Sequence, residues 1–134
     1  MDNTTAVPVV GPAGRGRAAR IGLGVVLAAE VLMMGVAGSS KFTNAELWRG
    51  IFEGFGYPAG MAPVVGAAEM VLVLLLLVPR LSSWAAIGLG VIMVGALQAV
   101  LTHPNDLGPV APAMHLALLA IIGWARWGVR WRPE

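Results

Sequence analysis

The sequence predicts an all-α protein: a four-transmembrane-helix bundle with an amphipathic interfacial helix between spans 1 and 2. Three observations predict it. The 134-residue chain is 57% hydrophobic and only 12% charged, whereas a soluble domain carries about 25% charged residues. Its mean hydropathy is +0.78. Four stretches reach the roughly 17–25 apolar residues that a membrane crossing requires, and two of them hold a glutamate near the middle, Glu30 and Glu69. An ionisable group at that depth costs ~2.5–3.5 kcal/mol on insertion scales, so it must face protein, water or a ligand and not lipid.

The first 18 residues are rich in Gly, Pro and Ala, with Arg15 and Arg17 near their end and Arg20 just beyond. They read as a disordered tail over 1–18. An Arg-rich start, an apolar run and Val36-Ala37-Gly38-Ser39 imitate a secretory signal. Glu30 inside the run, and its length, argue for a retained helix instead. Spans are expected over 19–38, 61–79, 81–101 and 109–128, giving a membrane domain over 19–128 and a short C-terminal tail over 129–134. Ser82 or Ser83 suits the N-cap of the third span. Pro109 and Pro112 fall in the first turn of the fourth, where a missing N–H is harmless.

Between the first two spans, Thr43 and Glu46 have capping-box spacing. Leu47, Trp48, Ile51, Phe52 and Phe55 then cover one side of a helix, with Glu46, Arg49, Gly50 and Glu53 opposite. Such a helix lies on the outer leaflet as an anchor, or covers a cavity between the spans. Gly54, Gly56 and Pro58 turn the chain into the second span.

Basic residues give direction. The N-terminal tail, Arg80 in the second connection, and Arg126, Arg130 and Arg132 share one side if there are four spans. The other side carries Lys41 and Arg49, balanced by Glu46 and Glu53, then Asp106. The positive-inside rule therefore places both termini in the cytoplasm of a multi-pass cell-membrane protein, with Trp84, Trp124, Trp127 and Trp131 at the cytoplasmic interface. The net charge of +2 flanks hydrophobic segments and forms no nucleic-acid patch. Small residues at Gly22, Gly24, Gly35, Gly38, Gly66, Ala86, Gly88, Gly90 and Gly95 offer close helix approaches.

Polar side chains converge on the outer half of this bundle. Glu30 and Glu69 lie near mid-membrane, with Gln98 and His115 nearer the outer side. Lys41 follows Glu30 by about three helical turns on the same face. Each also has a purely structural reading. A buried Glu pairs with a cation or serves, protonated, as interhelical glue, and a lone His is commonly a satisfied core residue. The chain has no cysteine, which removes thiolate chemistry and Cys-ligated clusters. With two His and no tight carboxylate cluster, no metal site is expected. No phosphate loop, nucleophile elbow or dinucleotide fingerprint is present, and no cofactor is evident from the residues.

Three motifs carry a resemblance: Gly35-x-x-Gly38-Ser39-Ser40-Lys41-Phe42, the turn Phe55-Gly56-Tyr57-Pro58, and Gly66-Ala67-Ala68-Glu69 in a helix ending at Leu77-Val78-Pro79. In this order they resemble the DoxX-like family of small four-helix membrane proteins, over about residues 19–128. The resemblance implies an accessory or quinone-contacting subunit of a membrane redox complex. Quinone would be the bound cofactor, and a redox protein or a further copy of the chain the partner. Lys41 and Glu69 match the family's recurrent polar positions; Glu30 belongs to the pattern less clearly.

The residues themselves also support a cofactor-free intramembrane enzyme, an isomerase, epoxide hydrolase or cyclase acting on an isoprenoid- or polyketide-like molecule. Glu30 and Glu69 would then act as acid and base, joined by His115 as a further catalytic group. Lys41, Gln98, Trp48, Phe52 and Phe55 would bind the lipophilic substrate. That scheme requires both carboxylates to reach one cavity. Four short helices without broken segments or convincing repeats argue against a monomeric transporter.

Overall fold

The apolar stretches fold as helices that turn much of their hydrophobic surface outward. The computed structural model describes residues 12–127. Among them are five helices and no strand: α1 Pro12–Thr43, α2 Ala45–Gly54, α3 Met61–Leu76, α4 Ser82–Thr102 and α5 Val110–Trp127. Three are long and apolar enough to cross a membrane, over Gly16–Thr43, Ser82–Thr102 and Val110–Trp127, while α3 is apolar but shorter. Val25, Leu32 and Val36 on α1, Val64 and Leu74 on α3, and Val91 and Leu101 on α4 are exposed. Large outward apolar faces of this extent suit lipid and not water.

The four longer helices pack in a ring in the order α1, α3, α4, α5, with α1–α5 the thinnest seam; α2 rests on α3 and α1. Met34, Val73, Leu76, Leu89, Met93, Leu119 and Ile122 form the core. Few of the small residues serve as close contacts. A Cβ on Gly66 would stand 2.9 Å from Lys41 Cβ and 3.2 Å from Gly38 O, and one on Gly88 would stand 3.0 Å from a Leu72 methyl. Ala86 is buried beside Gly123. At Gly22, Gly24, Gly35, Gly90 and Gly95 an added Cβ would meet nothing within 4 Å.

Several local expectations are corrected. The helix over the first span begins at Pro12, with proline in its first turn, so helix replaces tail from that point. The rest of the N-terminal tail and the C-terminal tail over 129–134 lie outside the described residues. Thr43 is not an N-cap: it closes α1, its hydroxyl donates to Ser39 O at 3.4 Å, and Asn44 precedes α2 without a side-chain cap. Neither serine caps α4, whose N-cap position is Leu81. Ser83 Oγ instead donates to Gly123 O at 3.5 Å, and buried Ser82 Oγ has no partner among the described residues.

The exit from α2 follows the chemistry of its glycine. Gly56 has φ +81°, its N–H donates to Glu53 O at 2.9 Å, and Tyr57 N–H donates to Phe52 O at 2.9 Å. These two bonds and a left-handed glycine make a Schellman ending. The Phe52 and Tyr57 rings pack across it at 6.0 Å, which turns Tyr57 back under the helix.

Candidate functional site

One buried stripe of α1 positions the site. Glu30, Met34, Gly38 and Lys41 recur at helical spacing and are all buried. Because α1 lies between α3 and α5, its two ionisable residues find different neighbours.

At one end of the stripe, Lys41 Nζ donates to Glu69 Oε2 of α3 at 2.7 Å and to Ala37 O at 3.3 Å. It also sits 4.3 Å from the centroid of the Trp48 ring, a cation–π contact. Trp48 Nε1 donates to Ser40 Oγ at 2.9 Å, and Ser40 Oγ donates to Ala37 O at 2.7 Å. The ammonium is therefore held by a carboxylate, a carbonyl and a ring face, and the same tryptophan ties α2 to α1. A charge pair this buried survives only when its hydrogen bonds are met in this way.

Lower on the stripe, Glu30 is fully buried (0% exposed) and meets α5. Both its oxygens lie on His115 Nδ1, Oε1 at 3.1 Å and Oε2 at 2.9 Å. This pair bridges the α1–α5 seam, where the helices otherwise touch least.

The Lys41–Glu69 pair and His115 of the second pair open on one cavity of about 370 Å³. Met34, Ala37 and Lys41 of α1 line it, with Val65 and Glu69 of α3, Met93, Gly95 and Ala99 of α4, and Pro112 and His115 of α5. Trp48, Phe52 and Phe55 of α2 and Tyr57 from its exit turn cover one side. Lys41, Glu69, His115 and the Tyr57 phenol supply its ionisable groups; most of the remaining wall is apolar. Val91, 68% exposed, also belongs to the wall, so the cavity reaches the outer apolar surface. Among the described residues, no group of three or more His, Cys, Asp or Glu could hold a metal ion.

Lys41, Trp48, Phe52, Phe55, Glu69 and His115 thus share a single space. Glu30 does not line it and touches it only through His115. Gln98 is exposed, outside the wall. Glu30 and Glu69 do not meet, because α1 presents one toward α5 and receives the other from α3. His103 is exposed, with its ring 6.4 Å from that of Phe55. Met34, Met93, Pro112 and Tyr57 are wall residues that sequence reasoning missed. Only Tyr57 left a signal, as the aromatic in the Gly56–Pro58 turn. The His115–Glu30 pairing spans 85 residues and had no local signature.

No curated protein and no solved structure matches the chain. The model of the DoxX-like family matches residues 23–122, a span that begins in α1, ends in α5 and contains both buried pairs. On that match, the chain is a membrane protein belonging to the DoxX-like family.

Proposed function

We propose that this protein holds a lipophilic molecule of the quinone class in the cavity beneath α2, as an accessory subunit of a membrane redox complex. The observation that carries the reading is the cavity itself: an apolar space with Lys41, Glu69 and His115 on its wall. Its volume, about 370 Å³, falls within the ~300–1,000 Å³ of small-molecule sites, which combine apolar walls with a few placed polar groups. Lys41 Nζ and the His115 ring suit the oxygens of a quinone head, and the aromatic side chains of α2 suit its ring. The chain has no thiol, so electrons would come from the bound molecule or from a redox partner.

The same reading takes α3 as a fourth crossing, continued by the turn after Leu76, and α2 as an interfacial helix on the outer side. Both termini are then cytoplasmic. Arg17, Arg20, Arg80 and Arg126 gather at one end of the helices under this topology, beside the Trp84–Trp127 ring pair at 6.3 Å. That is the charge and aromatic distribution expected of a cytoplasmic face.

A second reading, the cofactor-free acid–base enzyme, is favoured by the carboxylate–imidazole pair at the cavity wall. In this form Glu30 works through His115, since it cannot reach a ligand itself.

Native mass spectrometry of the protein extracted in patches of its own membrane tests the choice. A co-purifying protein together with bound quinone supports the accessory role. A lone chain carrying another lipophilic compound favours the enzyme, and a lone, empty chain counts against both.

A further inference from the structure

His115 brings one uncommitted ring nitrogen to the cavity, and Glu30 sets its chemistry. The residue is 8% exposed and lines the cavity. Both Glu30 oxygens approach Nδ1, at 3.1 and 2.9 Å. A protonated carboxyl has a single hydrogen, so its other oxygen would confront the ring's lone pair at that distance. An Nδ1–H facing a Glu30 carboxylate is attracted to both oxygens. In the neutral ring that tautomer leaves Nε2 with its lone pair. No hydrogen bond to Nε2 occurs among the described residues. A carboxylate behind an imidazole fixes the tautomer and stabilises the imidazolium that forms when the far nitrogen takes a proton.

We propose that His115 is the proton-accepting group of this cavity, with Glu30 as its positioning residue, and that the ligand is a conjugated hydroxyl compound, aromatic or enolic. This rests on the reading of the cavity as a lipophilic binding site, and it selects the reduced, hydroxyl-bearing form of a quinone-class molecule. The ligand hydroxyl donates to Nε2. On transfer the O–H bond breaks, an N–H bond forms, and the electron pair stays on the ligand oxygen. His115 becomes an imidazolium against the Glu30 carboxylate, and the net charge of the site does not change. Conjugation is required because an isolated alcohol is too weak an acid for imidazole to deprotonate. The ionisable groups on the cavity or against His115 are Glu30 and Lys41 from α1, Glu69 from α3 and the Tyr57 phenol from the turn after α2. Helix α4 has none, and Glu46, Arg49 and Glu53 of α2 are exposed.

The test uses the full-length protein in lipid nanodiscs with a lipophilic nitrophenol, whose phenol and phenolate forms differ in colour. The wild type is expected to hold the probe as phenolate at a pH where empty nanodiscs keep it as phenol. His115→Gln binds the probe as phenol, lowering the ratio of ionised to neutral probe roughly tenfold or more, the equivalent of at least one pKa unit. Glu30→Gln gives an intermediate ratio, a colour change that loss of packing alone would not produce. The double variant Glu30→Gln/His115→Gln leaves no buried charge unpaired and also binds phenol. Gly95→Trp adds a large side chain at the cavity wall, at a position where a Cβ meets nothing within 4 Å, and is expected to abolish binding. A wild type that holds neutral phenol, or a His115→Gln protein that ionises the probe fully, overturns the role of His115 while the cavity reading stands. A wild type that binds no probe, or a Gly95→Trp protein that binds it equally well, overturns the cavity reading.

Discussion

Gly66 of α3 lies against Lys41 of α1 so closely that a methyl group in its place would stand 2.9 Å from the lysine Cβ. One helical turn further along α3, Glu69 reaches the same lysine at 2.7 Å. On α1, Gly38 precedes Lys41 at the same spacing, and its carbonyl faces Gly66. The small-residue contact and the ion pair are therefore one device. The glycines bring the backbones together, and the residues three positions on meet as a consequence. Membrane helices rely on such contacts because burial from lipid supplies little drive.

Gly66→Ala is expected to destabilise the protein by about 1–3 kcal/mol, the usual cost of overpacking, because neither Lys41 Cβ nor Gly38 O can swing away. Gly90→Ala should be neutral or stabilising by up to ~1 kcal/mol, since alanine favours helix and a Cβ there meets nothing within 4 Å. Thermal unfolding of both variants in the same nanodiscs makes the comparison. Equal stability would show that the Gly38–Gly66 approach is not tight.

Lys41→Met and Glu69→Gln should each lose roughly 3–5 kcal/mol, the cost of disrupting a buried charge pair by replacing one partner. The double variant should recover much of that loss, because it leaves neither charge alone. A double-mutant cycle on unfolding in mixed micelles measures the coupling. Additive losses would mean that the two side chains do not depend on each other.

Gly95→Trp should fold as the wild type does and carry less co-purified lipophilic compound. The position is on the cavity wall, and the added side chain takes the ligand's place. Lipid extraction and mass spectrometry of equal amounts of the two proteins give the readout. An undiminished load would place the ligand elsewhere.

A chain without cysteine suits single-cysteine mapping. Asp106→Cys, in the exposed α4–α5 connection, should react with a membrane-impermeant maleimide on intact cells. Leu81→Cys, in the α3–α4 turn, should react only after permeabilisation. The reverse order would invert the proposed topology or remove the crossing by α3, and labelling of both on intact cells would remove the crossing by α4.

The sequence by itself determined the solvent and the elements. Long apolar runs can satisfy their backbone in lipid only as helices, so the helices were legible without any tertiary contact. The apolar side of α2 was legible from helical periodicity, and the buried face shared by Glu30 and Lys41 from their spacing. The motifs around Gly38, Lys41, Gly66 and Glu69 were enough to place the chain beside its family. Tertiary structure alone decided which polar groups met. Glu30 and Glu69 have similar depth and chemistry, and nothing local distinguishes a glutamate that lines a cavity from one that stands behind a histidine 85 residues away. Gln98, near the end of α4, lies toward the same end of the bundle as His115, yet α4 turns it outward. Helix caps also escaped the sequence, because α1 runs through Lys41 to Thr43 and takes up the residue that would have capped α2. The reason is common to these cases. Depth in the membrane is set by position along a helix, whereas partnership is set by the rotation of each helix about its axis, and that rotation is fixed by packing against neighbours distant in the chain.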